Sequence, residues 1–431
     1  DTLDFSTMTA TRNVILTGLG TLDGFAGTAT SIGGAFDNVN VIQAGRATDD
    51  QLTGANLPSE WALDGVGVFD TYTAGGRTLL FSAFEILQGG SDSDDFVLDN
   101  AQSYTINGGA GDDTLLLNKG ASYSGGFDGQ AGSDTLSYAT RTSVVNVNLA
   151  NQTGTDITGS YTGVENATGG NADDTLIGDD NANILTGGAG NDILTGAGGD
   201  DTYVFDDGWG TDTISEDGSG GSDTFDFTTV TVPLTVDLHA TVTATDGTNT
   251  LLDVANIETV RGGQSDDTFT IFTGTQPQTL YGNPGDDQFI FQDNAVLGGL
   301  LDGGTGSDQL DFSAYVDPRT FVLIGLGSLD GFAGTATGIQ GDFDNIDAII
   351  GSQGNPFGAD SFTGLDFDAT WNIFNAAGDG RYMVGANTLD FSSLENLVGG
   401  VGDETFIFAD QAKLPGTFNS IDAKGGIDTL D

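Results

Sequence analysis

Residues 169–204 read GGNADDTLI, GDDNANILT, GGAGNDILT, GAGGDDTYV, which is four nine-residue units in tandem with nothing between them. Each unit opens on a glycine-rich turn. Each carries Asp or Asn at its sixth position (Asp174, Asn183, Asp192, Asp201) and an apolar residue at its eighth (Leu176, Leu185, Leu194, Tyr203). Glycines such as Gly169, Gly170, Gly187, Gly188, Gly190 and Gly198 reach positive φ freely, so the turn can point several carbonyl oxygens inward. A short carboxylate closing the turn supplies the charge that a hard cation requires. The next three residues extend as a strand with the eighth buried. A unit this small is supported only by its neighbours in a stack.

Charge and composition narrow the function classes. The 431 residues carry a net charge of −53, from 63 acidic and 10 basic side chains, and only seven of the acids are Glu. The bias toward Asp matters because its short arm fits a tight turn and can ligate metal there. Nucleic acid is excluded as a partner, since phosphate binding needs clustered Lys and Arg. There is no run of eighteen apolar residues to make a membrane-spanning helix, and no membrane insertion is expected. Cysteine is absent, so there are neither disulfides nor thiolate metal sites. With hydrophobic residues at 37% and regularly placed, the chain does not read as disordered.

Repeats lie inside repeats. The phrase DTLDFS at Asp1 returns as DTLSYA at Asp134, DTFDFT at Asp223, DQLDFS at Asp308 and DTLD at Asp428. These mark units 1–133, 134–222, 223–307 and 308–431. The first and last are close copies: GLGTLDGFAGTAT from Gly18 aligns without gaps to GLGSLDGFAGTAT from Gly325, and Trp61 matches Trp371. The chain ends on the phrase with which it starts, as a window cut from a longer polypeptide would. An Asp-x-apolar beat recurs at intervals near 20 or between 40 and 52 residues, which fits a stacked solenoid coil of about twenty residues with some coils lacking the marker. After each beat Leu3/Phe5, Leu115/Leu117, Tyr203/Phe205, Phe225/Phe227, Phe269/Ile271, Phe289/Phe291 and Phe406/Phe408 alternate as inward-facing strand residues. No long amphipathic helix is legible. Stretches 18–80 and 325–390 depart from the nonad pattern and read either as wider coils or as loops standing off the solenoid.

The nonad block resembles the RTX (hemolysin-type) calcium-binding repeats, whose pattern is G-G-x-G-x-D-x-U-x. The resemblance is tight over 169–204 and looser in single turns at Gly108, Gly129, Gly262, Gly282 and Gly303. It implies an all-β, right-handed parallel β-helix or β-roll solenoid with calcium in its glycine-rich turns. By the same resemblance Asp113, Asp134, Asp174, Asn183, Asp192, Asp201, Asp267, Asp287 and Asp308 would ligate calcium together with carbonyls of the neighbouring turn. Asp174 with Asp192, and Asn183 with Asp201, would form the stacked pairs. Asn183 would weaken its site by removing a charge, and Glu404 stands where another turn expects Asp.

No catalytic residues are assigned: His239 is the only histidine and no nucleophile accompanies it. The expected function is a calcium-rigidified structural segment of a large secreted bacterial surface protein, an adhesin, surface-layer or filament protein, outside the cell. Expected partners are calcium, further copies or adjoining repeats end to end, and cell-surface polysaccharide. A carbohydrate-active lyase or epimerase, and a carbohydrate- or ice-binding module, stay as alternatives.

Overall fold

The computed structural model describes residues 1–64, 69–216, 221–352, 359–375, 378–415 and 420–431. Parts of both departing stretches, 65–68, 353–358 and 376–377, lie outside the described residues. Every regular element among those described is a β-strand. The chain divides into two compact units, one of Asp1–Tyr203 with Trp209–Gly221, the other of Val204–Gly208 with Ser222–Asp431.

In the first unit, short strands pair in parallel with their counterparts one coil on. Asp94–Leu98 pairs with Thr114–Leu117, which pairs with Thr135–Ser137 and then Asn166–Thr168 through the latter. On a second face Asn146–Asn148, Thr175–Ile177, Ile193–Thr195 and Thr211–Ser215 follow one another in the same way. The offset between stacked residues is 18 in the nonad block and 19 to 21 over 94–134. Alternation then decides burial. Leu115, Leu136, Leu176, Leu185 and Leu194 are wholly inside, while Ile184 and Ile193 between them face out. Each such buried side chain contributes roughly 1.5–3 kcal/mol relative to exposure.

The second unit repeats this build. Thr268–Ile271, Gln288–Phe291 and Gln309–Asp311 stack in parallel, and rings follow the register, with Phe269 on Phe289 at 5.0 Å and Phe291 on Phe312 at 4.3 Å. Inward residues expected from alternation are buried, except that Leu3 and Phe408 stay half-buried.

The departing stretches are neither wider coils nor detached loops where they are described. They are antiparallel meanders that continue the sheets. Asn13–Leu19, Phe25–Ala29 and Ala35–Val39 form one, and Ser59–Leu63, Asp70–Ala74 and Arg77–Ser82 another. The second copy repeats both, with Thr320–Leu326, Phe332–Ala336 and Phe343–Ile346, then Ala369–Ile373, Gly380–Val384 and Asn387–Ser392. Gly75 and Gly76, at φ 54° and 74°, supply the two-residue turn that a tight hairpin demands. Trp61 stacks on Phe96 at 5.5 Å in the first copy and Trp371 on Phe406 at 5.4 Å in the second, so the matched tryptophans fill matched cores.

Candidate metal centre

The sixth-position residues form ladders along the coils. In the first unit Asp113 Oδ1 accepts the N–H of Asp94, and Asp134 Oδ1 accepts that of Asp113, both at 2.8 Å. On the other face Asp192 Oδ1 accepts the N–H of Asp174 at 2.7 Å, and Asp212 Oδ1 that of Asp192 at 2.9 Å. Asp201 Oδ1 accepts from Asn183 N–H at 2.8 Å. The second unit repeats the pattern, with Asp287 Oδ1 taking Asp267 N–H at 2.7 Å and Asp308 Oδ1 taking Asp287 N–H at 2.9 Å. None of the nine expected ligand side chains is more than 1% exposed. The ladder position lies two residues before an inward strand residue, so the strand register places it automatically.

The second carboxylate oxygen separates the turns into two kinds. In one kind, the second residue of the turn donates its N–H to that oxygen: Gly90 to Asp94 at 2.6 Å, Gly170 to Asp174 at 2.5 Å, Gly263 to Asp267 at 2.6 Å. Asp179 N–H reaches Asn183 Oδ1 at 2.7 Å in the same way. These turns are closed. In the other kind the second and fourth residues both adopt positive φ, as at Gly109 and Gly111, Gln130 and Gly132, Gly188 and Gly190, Ala197 and Gly199, Asn283 and Gly285, Gly304 and Gly306. Turning the peptide over aims its N–H away from the carboxylate. Oδ2 of Asp113, Asp134, Asp192, Asp287 and Asp308 is then buried with no hydrogen-bond partner. These turns are open.

A buried, unpaired carboxylate oxygen is costly unless a cation meets it. The first glycine of the turn makes room there. A Cβ on Gly108 would collide with Asp113 Oδ2 and come within 2.7 Å of the Gly129 carbonyl, and one on Gly187 would collide with Asp192 Oδ2. Carboxylate and carbonyl oxygens thus converge beside Gly108, as they also do beside Gly169 of a closed turn, and oxygens of these two kinds are the donor set that calcium prefers. Burial, with neighbouring carboxylates adding to it, pushes Asp113 up to about 7, Asp192 to about 6 and Asp287 to about 8. Asp308, by the same causes, is pushed up to about 7, and Asp134 to about 6. Calcium would be held by these open-turn carboxylates, and its chemistry there is neutralisation of stacked negative charge.

The expected pairs are therefore stacked, but their members are unequal. Asp174 and Asp267 sit in closed turns, each with both oxygens engaged by backbone N–H groups, from Val145 and Gly170 and from Leu234 and Gly263. Asn183 is matched to its closed turn, because its Nδ2 donates to the Glu165 carbonyl at 2.6 Å, which a carboxylate cannot do. In the fourth nonad the glycine facing the Asp201 carboxylate is Gly196, while the positive-φ Gly199 packs on the Asn181 backbone and Gly198 donates its N–H to the Asp179 carbonyl at 3.2 Å. Glu404 takes Gly400 N–H at 2.7 Å through Oε1 and leaves Oε2 buried without a partner.

Two features of the ladders escaped sequence reasoning. Asp212, pushed up to about 8 by burial, belongs to a turn whose Gly208 and Gly210 have φ of 86° and 91°; the signal was the spacing of two glycines ahead of Asp. The second is a terminating coil. Ala83-Phe84-Glu85, Gly163-Val164-Glu165, Asn256-Ile257-Glu258 and Ser393-Leu394-Glu395 each place a residue at φ near 60° two positions before a glutamate. Each Glu Oε2 accepts the N–H of the last aspartate of a ladder, Asp50, Asp134, Asp223 or Asp360, at 2.7–2.9 Å. The recurring order apolar-Glu-x-apolar-x-Gly-Gly announces it.

A family model described as RTX calcium-binding nonapeptide repeat, in four copies, matches residues 89–123 and 168–203. Among solved structures, the chain is similar to extracellular lipase LipA from Serratia marcescens at 19% identity with a TM-score of 0.17. That likeness covers 61% of this chain and 43% of the lipase chain, so this chain spans less than half of its length. No curated protein matches the chain. Over 89–123 and 168–203, then, the chain is built of RTX calcium-binding nonapeptide repeats.

Proposed function

We propose that this chain is a calcium-stabilised structural segment of a large secreted surface protein, and that it performs no catalysis of its own. The observation that carries the reading is the set of buried open-turn carboxylate oxygens without donors, at Asp113, Asp134, Asp192, Asp287 and Asp308. With 63 acidic side chains the metal-free chain repels itself, which suits export in an unfolded state. Outside the cell, millimolar calcium would neutralise the stacked carboxylates and lock one coil on the next. Stiffness is then the product, as an adhesin, surface layer or filament needs, with adjoining repeats or further copies continuing the stack and surface polysaccharide as a contact. Calorimetric titration of the chelator-treated chain with calcium, followed by circular dichroism, tests this. Binding coupled to gain of β-signal supports the reading. Turnover of a polysaccharide by the calcium-loaded chain would replace it with the lyase or epimerase alternative.

A further inference from the structure

In the second unit the ladder Asp267–Asp287–Asp308 ends on Asp347 in place of the usual glutamate. Asp347 Oδ2 reaches Asp308 N–H only at 3.3 Å, against 2.7–2.9 Å for the glutamates. A third acid arrives from the meander: Asp330, in the loop between Thr320–Leu326 and Phe332–Ala336. One carboxylate oxygen from each of Asp308, Asp330 and Asp347 lies within 4.8 Å of the others. Asp308 is fully buried with Oδ2 lacking any donor, and Asp330 Oδ1 is likewise buried and unpartnered. The Asn345 carbonyl closes on the same space, since a Cβ on Gly303 would collide with it and come within 2.6 Å of Asp308 Oδ2. The described ion pairs, Arg141–Asp156, Arg381–Asp390 and Lys424–Asp422, leave all three acids without a cationic partner.

We propose that Asp308, Asp330 and Asp347 together hold one calcium ion that fastens the 327–331 loop to the solenoid coil. Three carboxylates and a carbonyl are hard oxygen donors. They come from three separate chain segments, an irregular set that suits calcium better than the strict octahedron of magnesium. The site falls outside the matched nonads and uses a ligand from the meander, which the nonad pattern lacks. The first copy provides an internal contrast. Its aligned residues are Asp1, Asp23 and Asn40. One carboxylate is replaced by an amide there, so of the two copies only the second has all three acids. The inference rests on the proposed calcium role for the choice of ion, and on its own residues for the place.

The test uses the whole chain with calcium alone as probe. Bound calcium is counted by equilibrium dialysis, and amide hydrogen exchange is read over 327–331 and, separately, over 169–204. In the wild type calcium should protect both segments. Asp330→Asn should lose one bound ion and the calcium-dependent protection of 327–331, with 169–204 unchanged. Asp347→Asn, which installs the amide of the first copy, should do the same and serves if the first variant folds poorly. Asp23→Asn should change neither reading. Both second-copy variants keeping the full ion count and the loop protection would overturn the site. If calcium protects 169–204 in the wild type but not 327–331, this site fails while the general calcium role stands. If it protects neither, the general role fails with it.

Discussion

Asp192 accepts the backbone N–H of Asp174 through Oδ1 at 2.7 Å, while its Oδ2 lies buried without a donor. Asp174, one coil earlier, has both oxygens satisfied by N–H groups of Val145 and Gly170. One carboxylate is thus a structural acceptor and the next is a ligand in waiting.

Asp192→Asn should separate these roles. Without calcium the amide removes a buried charge, so the chelated variant should unfold at the same temperature as wild type or higher. With calcium it loses a ligand. A site saturated at a hundredfold excess over its Kd contributes about 2.7 kcal/mol, which sets the scale of the expected loss. Thermal unfolding with and without calcium reads both signs in one experiment.

Position four of the turn carries the difference in backbone. Gly190 sits at φ 145°, and a Cβ there would lie 2.6 Å from the Ala172 carbonyl. Gly190→Ala should therefore destabilise by about 1–3 kcal/mol. Ala172 holds the equivalent place in the closed turn and already bears a Cβ. Ala172→Gly should cost less than about 1 kcal/mol, through unfolded-chain entropy alone. Denaturant midpoints of the two variants in calcium check the contrast.

The pH dependence should invert with calcium. The usual aspartate value is 3.8, and burial pushes Asp192 up to about 6, Asp113 and Asp308 to about 7, and Asp287 to about 8. A carboxyl whose value is raised on folding binds protons more tightly folded than unfolded. Its stabilising contribution is complete below about 4 and is lost as pH rises through 6–8. In chelator, unfolding temperature should fall between pH 5 and pH 8. Calcium competes with the protons, so calcium affinity should rise across the same window.

Glu165 ends the first ladder by accepting Asp134 N–H at 2.9 Å. Glu165→Gln keeps an acceptor at the same reach and should be nearly neutral. Glu165→Ala leaves the Asp134 N–H without its partner and should cost about 1–2 kcal/mol. Equilibrium unfolding in calcium distinguishes them.

Much of this was legible in the residues. The ligand ladder follows from Asp two places before an inward apolar residue, and open turns keep glycine at position four: GGAGDD, GQAGSD, GGAGND, GAGGDD, GNPGDD, GGTGSD. Closed turns ending in Asp or Asn replace it with Asp, Ala, Asn or Ser, as in GGSDSD, GGNADD, GDDNAN and GGQSDD, whereas GGVGDE keeps Gly402 and still closes on Glu404, and the consensus treats all of these as one repeat. The meanders were hidden because an antiparallel strand alternates like a parallel one; Gly75-Gly76 was the local sign of a hairpin. Asp330 as a neighbour of Asp308 and Asp347 depends on a loop folding back, which spacing along the chain does not encode.

The most direct measurement is a calcium titration of the chelator-treated chain by far-ultraviolet circular dichroism and calorimetry together. The account predicts several bound ions, with the β-signal and the unfolding temperature both rising as the sites fill. No heat of binding, and the same spectrum and unfolding temperature in chelator and in millimolar calcium at pH 8, would contradict it.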